Sequence, residues 1–221
     1  MKDMRREHQT ARGFTLVEML VVMVVIAILA GIVLSINGLV QGKAARARTE
    51  AEIKALSAGC ESYKADNGSY PQDASATDAL DPRASGNPES YKAASLFLYK
   101  QLSGDLNANG RLENTGATPE PRSYLQDFFK PQILGGTVGS GGAMSAVTFL
   151  KDPYGNSYGY STKGAAAEQA YKTAVLTNPA AVRAANQGYN PTFDLWSTSG
   201  KTIAPTPGTA TDVTLVWIKN W

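Results

Sequence analysis

The chain has 221 residues, 43% of them hydrophobic and 18% charged, with a net charge of +2. That is one modest globular domain once a single membrane-scale apolar segment is set aside, and the charge gives no reason to expect a nucleic-acid partner. The single cysteine, Cys60, excludes an internal disulfide and any multi-cysteine metal site, and the single histidine, His8, lies in the first dozen residues. With those residues removed, histidine triads, Cys-His pairs and histidine-held metals are all excluded, so an enzyme is not expected.

Residues 1–13 are a short basic leader, with Lys2, Arg5, Arg6 and Arg12 set against Asp3 and Glu7. Residues 19–42 carry no charge, and about 20 apolar residues are enough to cross a bilayer core. A secretory signal peptide would have a shorter apolar run followed by a small-residue cleavage site, and no A-x-A pattern follows this one. The Lys/Arg count is four before the segment against Lys43, Arg46 and Arg48 after it, which favours a cytoplasmic N-terminus by a narrow margin. Glu18 interrupts the apolar pattern. A carboxylate there is either an interfacial group reaching headgroup water or one that needs a partner.

No proline falls between Thr15 and Asp66, which predicts one helix of about 52 residues, roughly 78 Å long. Its first part is apolar all round. Its second part carries Ile53, Leu56, Cys60 and Tyr63 at helical spacing with charges between, a stripe that needs a partner surface. Asn67 and Gly68 stop the helix, and Pro71 keeps it stopped. Gly31, Ser35, Asn37, Gly38 and Gly42 weaken the middle, which either packs small residues against other membrane helices or unwinds among neighbours.

Residues 72–90 read as loop, and 91–102 as a short amphipathic helix repeating at Ala94, Phe97, Leu98 and Gln101. A polar loop over 103–122 leads to a short strand or edge at 124–129. Residues 135–142 (GGTVGSGG) read as a flexible loop without the Lys-Ser/Thr ending of a phosphate-binding loop. Strands at 147–150 and 158–161 are joined by a turn through Pro153, Gly155 and Asn156. An Ala-rich helix covers 165–176, and the last strands are 192–197 and 213–218, the latter from alternating Val213, Leu215 and Trp217. This order predicts an α+β fold, an antiparallel-sheet head on a long helix.

Within the head, Asp105, Asn107, Asn109, Gly110 and Glu113 follow the start of a calcium loop, but Gly116 stands where the bidentate Glu belongs. The stretch is either a weak calcium site or an ordinary polar turn. Tyr154, Tyr158, Tyr160 and Tyr189 read as sheet packing before a binding face, and Asp127 and Asp152 as turn or cap residues. Cys60, on the apolar stripe, reads as a small buried side chain.

Residues 12–20 (RGFTLVEML) resemble the G-F-T-L-x-E cleavage and methylation signature of the type IV pilin-like proteins, which include the pseudopilins of type II secretion systems. Residues 63–71 (YKADNGSYP), 152–158 (DPYGNSY) and 193–197 (FDLWS) are similar, in order, to segments of the G-type (major) pseudopilins, and Asp212, Val213 and Trp217 or Trp221 loosely match the end of that family. The resemblance implies a prepilin peptidase cutting between Gly13 and Phe14, N-methylation of Phe14, and a Glu18 that pairs with the Phe14 amine of a neighbouring subunit during assembly. It implies an inner-membrane protein with its N-terminus in the cytoplasm and its head in the periplasm, whose partners are the membrane, copies of itself, other pseudopilins and the assembly platform. On that reading the chain divides into a leader (1–13), a membrane and assembly segment (14–42), an amphipathic helical part (43–68) and a head (69–221). The chain departs from the family in extra length at 72–145 and 163–190, in Ser35 standing where the family has a helix proline, and in a final loop with no acid before Asp212. Calcium, which that loop binds in the family, is therefore not required here; Asp105, Asn107, Asn109 and Glu113 are the first candidates and Asp212 the second. The alternatives are a minor or tip subunit and a membrane-anchored periplasmic head that binds a ligand or protein.

Overall fold

The computed structural model describes residues 14–83, 86–111, 121–125, 127–185, 187–201 and 213–221, with the side chains of 33–39, 213 and 214 left aside. The chain forms two units, one ending at Ala44 and one spanning Ala45–Trp221. Helix α1, Leu16–Asn67, is unbroken. In the first unit its apolar side chains are exposed: Leu16 82%, Met23 69% and Ile32 53%. Backbone hydrogen bonds inside the helix pair its polar groups even where no side chain is buried. Among the described residues, no helix is long and apolar enough to cross a membrane.

In the second unit the stripe on α1 is buried. Ile53, Leu56 and Cys60 are 4%, 0% and 0% exposed, and the half-buried Tyr63 packs against the same core. Burial pushes the Cys60 thiol well above its usual range, so it is an inert packing group. The helix ends as the sequence predicts. Gly68 takes φ +79° and donates its N–H to the Lys64 carbonyl, a left-handed cap that glycine adopts without a Cβ penalty.

A 3₁₀ turn at Pro88–Tyr91 leads into α2, Lys92–Ser103. Its buried face is rotated from the predicted one. Ala94, Ser95, Leu98, Tyr99 and Leu102 are buried, whereas Phe97 and Gln101 are only half-buried. Polar groups cause the rotation. The Ser95 hydroxyl accepts the Leu150 N–H at 2.9 Å, and the Tyr99 hydroxyl donates to Asp105 at 2.6 Å.

β1, Leu134–Val138, pairs antiparallel with β2, Met144–Leu150. The flexible loop predicted over 135–142 is therefore mostly strand and hairpin turn. The two glycines serve close approach: the Phe149 ring lies across Gly135, where a Cβ would enter it. Conversely, the strand predicted at 124–129 is a set of turns. Asp127 has φ +59°, which no strand tolerates, and Leu125, Phe128 and Phe129 reach the core from the turns.

β3, Gly159–Ser161, β4, Asp194–Ser197, and β5, Ile218–Lys219, form a second antiparallel sheet in the order β3-β4-β5. Between β2 and β3 lie the isolated bridge Lys151–Ser157, beside the Asp152 turn, and the bond from the Tyr158 N–H to the Leu150 carbonyl at 3.0 Å. Between β3 and β4 runs α3, Lys163–Thr177, whose one buried residue is Gly164. The last predicted strand is corrected: Val213–Val216 is a 3₁₀ turn and only Ile218–Lys219 is strand. A strand would place Leu215 and Trp217 on one face, yet Leu215 is 75% exposed and Trp217 3%.

Candidate functional site

The N-terminal motif is placed from Phe14 onward; Gly13 lies outside the described residues, as do Glu113 and Asp212. Phe14 is 75% exposed and is separated from the helix by Thr15 alone. Thr15 and Glu18 close a reciprocal cap. The Glu18 carboxylate accepts the Thr15 backbone N–H and hydroxyl, both at 2.8 Å, and the Glu18 N–H reaches the Thr15 hydroxyl at 3.3 Å. This is a capping box, in which a threonine before the first turn and a glutamate three residues on satisfy each other's donors. The spacing Thr15-Leu16-Val17-Glu18 is the sequence signal of this cap.

In the head, Asp105 is buried at the start of a tight turn. Its carboxylate accepts the Tyr99 hydroxyl at 2.6 Å, the Asn109 N–H at 3.2 Å and the Gly110 N–H at 2.7 Å. The Asn109 side chain is taken by the Arg111 N–H at 2.9 Å, and Asn107 is exposed. Asp105 and Asn109 thus share one turn, but the protein's own donors occupy most of the oxygens that a cation would need. Among the described residues, no group of three or more His, Cys, Asp or Glu side chains is placed to hold a metal.

Other buried carboxylates close the sheet. Asp152 accepts the Asn156 N–H at 2.8 Å, the Tyr154 N–H at 3.0 Å and the Ser197 hydroxyl at 2.5 Å; burial nonetheless raises its pKa above the usual carboxylate value. Asp194 accepts the Tyr189 and Asn190 N–H groups at 2.8 and 2.9 Å, and burial raises its pKa too. The tyrosines predicted to pack do so. Tyr158 and Tyr160 are fully buried, Tyr154 packs against the core, and Tyr189 stacks on Trp221 at 4.6 Å between ring centroids. A groove of about 780 Å³ runs between α1 and β5, lined by residues that include Glu50, Ile53, Lys54, Ser57, Phe193 and Trp217.

Residues 9–34 match the family described as the prokaryotic N-terminal methylation motif, and residues 39–109 match type II secretion system protein G. Curated relatives carry the name type II secretion system core protein G. The chain is 36% identical over 86 residues to the one from Pseudomonas aeruginosa and 40% identical over 86 residues to that from Klebsiella michiganensis, in each case 39% of this chain and 59% of the relative. A third, from Aeromonas hydrophila, is 36% identical over 91 residues, 40% of this chain and 62% of the relative. The chain therefore spans about three fifths of the length of the relatives it matches. No solved structure matches it. The resemblance read from the motifs stands: the methylation motif and the protein G region lie in one chain, in the order the motifs have.

Proposed function

We propose that this chain is a structural subunit of a type II secretion pseudopilus or a related filament, drawn from the inner membrane and without catalytic activity of its own. One observation carries the reading. The methylation motif at 9–34 runs into a helix whose apolar side chains are exposed over its whole described first stretch, from Leu16 to Ile32. Such a surface needs lipid or other apolar helices around it. Residues 19–42 carry no charge, so we infer that the helix continues through the bilayer until the subunit is assembled, with the head in the periplasm.

In this reading a prepilin peptidase cuts between Gly13 and Phe14, and the Phe14 amine is methylated. The residue then carries a cation four positions from the Glu18 carboxylate. Thr15 holds that carboxylate within the single subunit. In a filament of parallel staggered helices it faces the Phe14 amine of the next copy, and leaving either charge buried and alone costs about 3–5 kcal/mol. The partners are copies of the chain, other pseudopilins, the assembly platform and the peptidase. Calcium is not required. If it binds, Asp105, Asn107, Asn109 and Glu113 hold it weakly, with Asp212 as the second choice.

The Glu18→Val variant tests this. It is expected to insert, to be cleaved and to keep a folded head, while filament yield falls by an order of magnitude or more. Filaments at wild-type yield would contradict the pairing.

A further inference from the structure

The seam between α1 and the rest of the head changes character at Ile53. From Ile53 onward its buried side chains are apolar, Ile53, Leu56 and Cys60, although the groove toward β5 opens beside Ile53 and Ser57 and the Tyr63 hydroxyl donates to Gln101 at 2.9 Å. Before it, between the half-buried Ala45 and Ile53, the buried side chains are Thr49, fully enclosed, and Glu52, 6% exposed. One Glu52 oxygen takes the Arg48 Nε at 2.7 Å, and the other takes the Tyr158 hydroxyl at 2.6 Å, from a residue 106 positions away. Arg48 is half in solvent, while the Glu52 side chain is 7% exposed. The Thr49 hydroxyl lies beside the same phenol and donates to the Ala45 carbonyl at 2.8 Å. That carbonyl is one the helix itself uses, and such back-bonding weakens a helix locally.

We propose that residues 45–52 form a latch on the head: two helical turns held by the Arg48–Glu52–Tyr158 chain, which open and close while the apolar core beyond Ile53 stays packed. Burying a carboxylate is costly even when it is paired, so this seam gains little net stability from its charges. It gains position instead. Shifting α1 by one turn would bring Arg48 or Leu56 opposite Tyr158 and strand both the hydroxyl and Glu52. The closed state is thus sharply defined but shallow, the combination expected of an element that opens locally. In the filament subunit proposed above, such a latch would let the start of the packed helix be repositioned without unfolding the head. Only that use rests on the filament reading, because the latch itself is a property of the head.

Hydrogen exchange on the full chain in detergent micelles tests it, comparing peptides over 45–53 and 56–63. In the wild type the first segment is expected to exchange faster. Tyr158→Phe, which removes one of Glu52's two donors and leaves only Arg48, is expected to speed exchange over 45–53 on the order of tenfold, with 56–63 unchanged. The double variant Glu52→Leu with Tyr158→Phe removes the buried carboxylate together with its phenol partner, leaving Thr49 bonded to the Ala45 carbonyl, and is expected to slow 45–53 toward the rate of 56–63. Identical exchange of the two segments in all three proteins, or a double variant faster than Tyr158→Phe, would overturn the latch. Neither result depends on whether filaments form.

Discussion

Val22, Ile26 and Leu29 lie on the same helix as Ile53, Leu56 and Cys60, and both groups are apolar. The first three are 49%, 56% and 56% exposed, however, and the second three 4%, 0% and 0%. In one group the helix supplies its own hydrogen bonds and finds no covering surface within its unit. In the other it is one wall of a core. The difference separates a stretch that is one wall of a core within this chain from a stretch whose apolar side chains are left exposed within their own unit.

The contrast is broken most severely by blocking release of the leader. Gly13→Glu is expected to leave a full-length precursor in the membrane fraction, visible as an unshifted band on a gel. Next in size are matched truncations in the two stretches. Leu56→Ala removes a fully buried side chain and is expected to cost the head about 2–5 kcal/mol. Ile26→Ala, the same kind of truncation on the exposed stretch, is expected to move head melting by less than about 0.5 kcal/mol. Equal effects in thermal denaturation would show that the two parts of α1 share one core.

The polar sites of the head sharpen the comparison at a smaller scale. Asp105→Ala strands the Tyr99 hydroxyl and two backbone N–H groups and is expected to cost about 1–3 kcal/mol. In calorimetry at millimolar calcium the wild-type head is expected to show weak heats at most. Tight binding that survives Asp105→Ala would place a calcium site elsewhere. The smallest effect is on pH dependence. Burial raises the Asp152 and Asp194 pKa values in the folded state, so the fold binds their protons more tightly than the unfolded chain does. Their contribution is fully present below the ordinary carboxylate pKa and is lost as pH rises through the raised values. The stability difference between wild type and Asp152→Asn is therefore expected to shift in favour of the wild type as pH falls from 7 to below 4. A constant difference would contradict the shift.

What was legible in the sequence follows from which residues carry local information. The absence of proline before Pro71, the spacing of Ile53, Leu56 and Cys60, and Gly68 placed α1 and its buried face within a residue or two. The G-F-T-L-x-E signature lies inside the stretch, 9–34, that matches the N-terminal methylation motif. The errors fell where tertiary contact outweighs pattern. Gly135 and Gly136 read as loop because their role is to let Phe149 and β2 approach. Leu125, Phe128 and Phe129 read as strand because turn residues that pack into a core look apolar too. The face of α2 was set by Ser95 and Tyr99 finding polar partners, which a hydrophobic repeat does not register. The pairing of Glu52 with Tyr158 spans 106 positions, and no local spacing announces it.

In the proposed filament subunit the mature chain begins at a processed Phe14, just before the exposed apolar helix. Intact-mass and N-terminal peptide mass spectrometry of the protein recovered from membranes measures this directly. The account predicts a chain of residues 14–221 carrying one methyl group on the Phe14 amine. A protein that retains Met1, or one cleaved after the apolar segment, would contradict it.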